Sequence, residues 1–257
     1  MKIALFSDIH GNLPALEAVF DDIEKRRPDA IYCLGDLVGY APWPNEVIAE
    51  IRRRGIPTIA GNYDQGIGSH SDDCGCAYKT DKEIAMGAVS ISYTNEIVQE
   101  DARQYLRTLP AHLMLKFDFG AEKFNLLLAH GSPRKINEYL FEDRPDASFI
   151  RMMRQEAADI MVFGHTHKPF HRELPEAREN GNRFRHAINI GSVGKPKDGD
   201  PRACYVILEL DDNTRMDKPG SLKVEFVRVQ YDVEKAARAV EDSPLPNDYA
   251  EMLRKAY

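Results

Sequence analysis

Along residues 1–60 the apolar positions follow two alternating rhythms. Residues 2–7 form a short apolar run that reads as a buried strand. From Asn12 to Arg26, Leu13, Leu16, Val19, Phe20 and Ile23 fall at helical spacing, with Asn12 placed to cap the helix and Pro14 tolerated in its first turn. Residues 30–34 read as the next strand, about 45–54 as a second helix stopped by Gly55, and 56–60 as a third strand. Strand, helix, strand, helix, strand predicts parallel strands joined by right-handed crossovers.

The rhythm then changes. Residues 66–78 are rich in Gly, Ser, Asp and Cys and read as a loop, and 80–108 reads as helix in two segments meeting near Thr94-Asn95. Strands are expected at 112–118 and 123–129, joined by the turn Asp118-Phe119-Gly120-Ala121. A helix at 146–157, strands at 159–163, 184–190, 203–210 and 222–230, and an amphipathic tail at 233–256 complete the pattern. No repeat, low-complexity tract or linker interrupts it. The expected organisation is a single domain over residues 1–257, with a helical insertion or cap at about 66–108.

Composition narrows the class. At 43% hydrophobic and 29% charged, the chain is an ordinary globular protein of 257 residues. A formal net charge of −7 argues against general nucleic-acid binding, which calls for a basic face. Cys33, Cys74, Cys76 and Cys204 offer neither a disulfide framework nor a paired zinc motif. The first run is too short for a signal peptide, and no apolar stretch approaches membrane length, so a cytoplasmic protein is expected. Oligomeric state is left open.

The chemistry gathers at the carboxyl ends of the strands. The first strand is followed by Asp8-Ile9-His10, the second by Gly35-Asp36, and the third by Gly61-Asn62-Tyr63-Asp64. The strand at 123–129 ends at His130-Gly131, and that at 159–163 ends at Gly164-His165-Thr166-His167. Each motif alone is an ordinary turn. Together they place four of the eight histidines at strand ends, the edge where open α/β sheets bind ligands. Carboxylates, a carboxamide and imidazoles form a mixed O/N donor set, suited to Mn, Fe, Zn, Ni or Co more than to Ca or Mg. Two divalent cations against Asp8 and Asp36 leave a net positive pocket, and phosphate is the obvious guest.

In this order, the five motifs resemble the calcineurin-like metallophosphoesterase superfamily from residue 3 to about 210, and Gly191-Ser192-Val193-Gly194 is similar to its small bacterial and archaeal phosphodiesterase branch. The resemblance implies an α/β fold, a four-layer α/β/β/α sandwich of two mixed sheets flanked by helices. It also implies two divalent metal ions: Asp8, His10 and His167 on one, Asn62, His130 and His165 on the other, and Asp36 between them. A metal-bridging hydroxide would attack a phosphoester substrate. Catalytic roles fall by the same matching on Asp36, Asn62, Tyr63 and Asp64, and substrate contacts on Tyr63, His70, Gly191 and Ser192. The family usually carries His at the position of Tyr63. A phenol with a reference pKa near ~10 is a poor proton shuttle, which leaves His70 as a candidate acid or an activity limited to good leaving groups.

Three further features have bland readings. Gly194-Lys195 lacks the Ser or Thr and the earlier Gly of a P-loop, so triphosphate binding by that route is rejected. Lys195 and Lys197 are candidates to attract substrate. Tyr40, Trp43 and Tyr63 form an aromatic group near the site, read first as packing. The main reading is a phosphodiesterase or phosphatase acting on small or nucleotide-like substrates. Two alternatives stand beside it: a metal-binding regulatory or interaction protein with weak or no catalysis, and a protein serine/threonine phosphatase.

Overall fold

A computed structural model describes residues 1–120, 122–178 and 181–257. The chain order is β1 (Lys2–Phe6), α1 (Leu13–Arg26), β2 (Ala30–Cys33), α2 (Pro44–Arg54), α3 (Asn62–Gly68), α4 (Asp81–Ile97), α5 (Glu100–Thr108), β3 (His112–Asp118) and β4 (Lys123–Ala129). It continues with α6 (Asp146–Gln155), β5 (Ile160–Phe163), β6 (Phe170–Arg178), β7 (Gly181–Asn189), β8 (Ala203–Glu209), β9 (Lys223–Val229), α7 (Val233–Glu241) and α8 (Asp248–Lys255).

Two mixed sheets result, one ordered β2-β1-β8-β9 and the other β3-β4-β5-β7-β6. β1 runs parallel to β2 across helix α1 and β4 parallel to β5 across α6, while β7 reaches its place parallel to β5 by way of β6. Side-chain alternation sorts the layers. Ile3 and Leu5 of β1 meet Leu126, Leu128, Ile160 and Val162 in a core between the sheets. Ala4 and Phe6 face the opposite way, into a core with α1, α2, α7 and α8. Leu127, Met161 and Ala187 form a third core with Phe149, Met152 and Met153 of α6. The fold is therefore the expected α/β/β/α sandwich.

Local chemistry sets the helix ends. Asn12 Oδ1 accepts from Ala15 N at 3.2 Å and caps α1, and Gly55 in the left-handed region ends α2. Thr80 and Glu83 form a reciprocal capping box that starts α4. The break between α4 and α5 falls at Val98-Gln99, a little beyond the expected Thr94-Asn95. Asn45 holds it from outside, donating to Ile97 O at 2.8 Å and accepting from Gln99 N at 2.9 Å. Met86, Ile91, Ala102 and Leu106 of this helical pair share the core of α1 and α2.

Two expectations need correction. Residues 56–60 form no full strand: they add one parallel bridge, Cys33 to Thr58, beside β2. Pro57 lacks an N–H to extend the ladder, and the chain then turns through Gly61 into α3. Conversely, β6 was not foreseen. It is an edge strand carrying Pro175 and many charged residues, and such a strand gives no apolar run. Ala121, in the expected turn after β3, lies outside the described residues. Among the described residues, no helix is long and apolar enough to cross a membrane.

The core between the sheets sets stability. Leu128 is fully buried there, and Leu128→Ala is expected to lower the free energy of unfolding by about 2–5 kcal/mol, read as a shift in the urea midpoint.

Candidate metal centre

Asp8, His10, Asp36, Asn62, His130, His165 and His167 converge where β1, β2, β4 and β5 end, and none is more than 4% exposed. Asp8, His10 and His167 offer ligand atoms lying within 4.8 Å of one another, and Asp36, His130 and His165 do the same. Asp8 Oδ1 is 3.2 Å from His167 Nε2 and 3.9 Å from both His10 Nε2 and His130 Nε2. Asp36 Oδ2 lies 3.2 Å from His130 Nε2 and 3.6 Å from His10 Nε2, between the two groups.

The backbone bends sharply to achieve this. Asp8, His10, Asp36, His165 and His167 all adopt positive φ, between 50° and 65°. Non-glycine residues in that region carry strain of order 1 kcal/mol or more each, tolerated where surrounding contacts over-determine it. Those contacts are present: Asp8 N donates to Gly35 O at 2.9 Å, His10 N to Asp36 O at 2.9 Å, and Gly164 N to His130 O at 2.9 Å. His165 N donates to Asp8 Oδ2 at 3.1 Å, tying the loop after β5 to the loop after β1.

Three imidazoles are aimed by the same device. Nδ1 of His10 pairs with Val38 O at 3.0 Å, that of His130 with Leu34 O at 2.8 Å, and that of His167 with Lys195 O at 2.5 Å. Each bond fixes the tautomer and presents Nε2 to the centre, the arrangement characteristic of metal-ligating histidine. Asn62 is fixed likewise: its Nδ2 donates to Cys74 O at 2.8 Å, which leaves Oδ1 facing His130 Nε2 at 3.1 Å.

The electrostatics call for cations. Burial, then the charge of His130, pushes His165 down to about 3, and burial with nearby Lys197 lowers His167 as well, so both rings stay neutral and able to ligate. Burial opposes charge on His130, but Asp36 and Asp8 outweigh it and raise the ring to about 10. A proton there offsets the buried carboxylates, a role that a metal ion would take over. Nε2 of His165 is buried without a hydrogen-bond partner among the described residues. An orphaned imidazole nitrogen beside two desolvated carboxylates fits a donor position for a cation.

The other expected site residues hold supporting positions. Both oxygens of Asp64 accept backbone N–H groups, from Leu37 at 2.8 Å and Gly61 at 2.9 Å, which locks the Asp36 loop to the Asn62 turn. Burial together with the charge of Asp36 raises Asp64 to about 7. Ser192 is fully buried and donates to Asp8 O at 2.7 Å, while Gly191 takes a positive φ of 73° beneath it. Ser192 thereby braces the Asp8 loop, while Gly191 N donates to Asn189 Oδ1 at 3.0 Å. His70 is exposed just past α3, with no hydrogen bond, ion pair or ring contact from its side chain to the centre among the described residues.

Tyr63 departs most from expectation. Its N–H donates to Asp36 Oδ1 at 2.8 Å, so its backbone positions the carboxylate. Its ring, 1% exposed, packs edge-on to His10 with centroids 5.4 Å apart, and its hydroxyl pairs with that of Tyr78 at 3.0 Å. Burial holds this phenol well above its ordinary range. The packing reading of the aromatic group therefore stands for Tyr63. Sequence reasoning missed Tyr139, whose ring lies 4.2 Å from that of His165, and the backbone carbonyls that orient the imidazoles. Neither leaves a signal in side-chain pattern.

Residues 1–213 match the calcineurin-like phosphoesterase superfamily domain. The chain belongs to that superfamily. Its members are metal-dependent phosphoric ester hydrolases, and this chain is one of them. It is 34% identical to an uncharacterized protein of Methanocaldococcus jannaschii over 266 residues, covering 98% of this chain and 96% of that one. It is 28% identical to Phosphodiesterase YfcE of Escherichia coli over 214 residues, covering 82% and 89%. Among solved structures, a metallophosphoesterase from Sphaerobacter thermophilus superposes with a TM-score of 0.73 at 29% identity, covering 100% of both chains. A hypothetical protein from Pyrococcus horikoshii shares the fold with a TM-score of 0.77 at 24% identity, covering 100% of this chain and 98% of that one.

Metal content tests the grouping. Protein reconstituted with Mn(II) and freed of excess metal is expected to hold about two ions per chain by elemental analysis, the stoichiometry of a two-metal site. His165→Ala is expected to bring that toward about one, with unchanged circular dichroism.

Proposed function

We propose that the centre holds two divalent cations, drawn from Mn, Fe, Zn, Ni or Co by donor type, and hydrolyses small or nucleotide-like phosphoesters. Asp8, His10 and His167 would hold one ion, Asn62, His130 and His165 the other, and Asp36 would lie between them. The observation that carries this reading is the convergence of seven buried donors from five separate segments, three imidazoles of which are pre-aimed by backbone carbonyls. When bound, the cations supply Lewis acidity at the phosphoryl oxygens and acidify water.

The chain's own residues do the rest. Asp36 is anchored by the Tyr63 N–H and needs no reorientation to face both groups. The lace of backbone hydrogen bonds among the loops keeps the donors in place. No side chain with an ordinary acid's environment occupies the Tyr63 position, because that phenol is buried and engaged with Tyr78. The reaction this site supports best is therefore displacement of a leaving group that departs as an anion without help.

With Mn(II), the protein is expected to hydrolyse bis(p-nitrophenyl) phosphate, and both Asp36→Asn and His130→Ala should reduce p-nitrophenolate release to background. Wild-type turnover in both variants would reject the site.

The substitution at Tyr63 also favours a second reading, a metal-binding regulatory or interaction protein with little turnover. Tyr63→Phe separates its structural and chemical roles. A packing residue predicts a change in kcat of less than about threefold, whereas loss of a general acid costs about 100-fold or more.

A further inference from the structure

Beside the metal centre lies a cavity of about 340 Å³, of the size that accepts a small organic ligand. It adjoins the centre through two rings. Tyr40 packs against His10 with centroids 4.8 Å apart, and Tyr139 packs against His165 at 4.2 Å. Its remaining walls come from elsewhere in the chain: Tyr78 before α4, and Tyr249 and Met252 of α8. These last two lie beyond residue 213, where the match to the superfamily domain ends.

Four lysines also line this cavity: Lys79, Lys168, Lys195 and Lys197. None has a carboxylate partner among the described residues, although the surface elsewhere is rich in ion pairs. Lys195 is only 4% exposed, and its Nζ lies over the rings of Tyr40 at 4.9 Å and Tyr249 at 5.8 Å. Among the described residues, Glu83 is the one carboxylate side chain lining the cavity. It is committed to the capping box, accepting from Lys79 N at 2.7 Å and Thr80 N at 3.0 Å. An acidic protein has thus gathered four lysines without carboxylate partners among aromatic rings at one place, a lining whose N–H donors and ring faces suit an anionic ligand with a flat, stacking part.

We infer that this cavity binds the non-reacting part of the substrate, and that this part is a nucleoside carrying a second phosphate. The base would stack among the tyrosines while the additional phosphate meets the lysines, with α8 acting as the specificity wall. The inference rests on the phosphoesterase reading above and narrows its substrate class.

Three esters sharing one leaving group test it: methyl p-nitrophenyl phosphate, thymidine 5′-(p-nitrophenyl phosphate) and its 3′-phosphorylated form. In each, the water oxygen bonds to phosphorus, the P–O bond to the aryl group breaks, and p-nitrophenolate leaves with the electron pair. The water's protons pass to solvent or product. With Mn(II)-loaded protein, kcat/KM should rise from the methyl ester to the thymidine ester by at least about tenfold, the scale of base stacking on aromatic rings. It should rise again for the 3′-phosphorylated ester.

Tyr249→Ala should collapse the first step of that rise, and Lys79→Ala, an exposed substitution that spares the fold, should shrink the second. Calorimetry with thymidine 3′,5′-bisphosphate gives a readout independent of turnover. Binding should be weakened by Lys79→Ala and by added salt. Equal kcat/KM for all three esters, or bisphosphate binding indifferent to Lys79→Ala, would overturn the inference and leave the phosphoesterase reading intact. Hydrolysis of none of the three would overturn that reading, and this inference with it.

Discussion

Two carboxylates removed from water dominate this structure. Asp8 and Asp36 are essentially unexposed and sit within a few ångströms of four imidazoles, on backbones that L-residues seldom adopt. Buried charge of this density is costly unless matched. Asp36 and Asp8 raise His130 against the cost of its burial, which shows the pull these carboxylates exert on positive charge, and divalent cations would supply the match. The surrounding hydrogen bonds serve that end. Asp8 N to Gly35 O joins the loops after β1 and β2, Gly164 N to His130 O joins those after β5 and β4, and His165 N to Asp8 crosses between the sheets. The centre is therefore also a seam, where the carboxyl ends of two sheets are sewn together above their shared apolar core.

Most of the centre was legible in the sequence because each ligand announces itself. A Gly or an Asp-x-His after a short apolar run marks a sharp turn at a strand end, and the structure places all seven expected ligands in one pocket. The fold was legible for the same reason where apolar runs are strong, as at β3 and β4, which begin and end where the pattern put them. What was hidden has no side-chain signature. The β6 edge strand mixes Pro175 with charge, and Leu34, Val38 and Lys195 act through carbonyls that any residue possesses. Tyr139 reaches His165 only through tertiary packing. His70 shows the converse: proximity in sequence to a ligand motif does not place a side chain at the centre.

Tyr63 illustrates how one residue can leave a cage intact while changing what surrounds it. Its ring fills the space left by Gly39, where a Cβ would collide with it, and it packs at a tilt of 51° against Tyr40 with centroids 4.8 Å apart. The hydroxyl continues outward to Tyr78, and Tyr78 in turn approaches Tyr40 at 3.5 Å. The Tyr63 position has thus joined a network of three phenols linked through their hydroxyls, with Tyr63 and Tyr40 packed ring to ring. Its hydroxyl is engaged with Tyr78 and its ring lies edge-on to His10, so the same residue forms part of the wall between the metal-ligand cluster and the tyrosines beyond it.

That surface is where this chain differs from a minimal version of its fold. The match to the superfamily domain ends at residue 213, yet β9 still pairs along the whole of β8, and α7 and α8 still contribute to the core on α1. The added segment is thus integral to the first sheet. It turns inward at α8 to set Tyr249 against Tyr40, the residue that touches His10. A path of ring contacts leads from the C-terminal helix to a candidate metal ligand without passing through solvent. Ligand cages built on strand ends tolerate little variation, because strained backbones and buried charges must all agree. A helix laid over the mouth of such a cage is under no such constraint, so selectivity in this protein has the most room to be set by α8 and the lysines facing it.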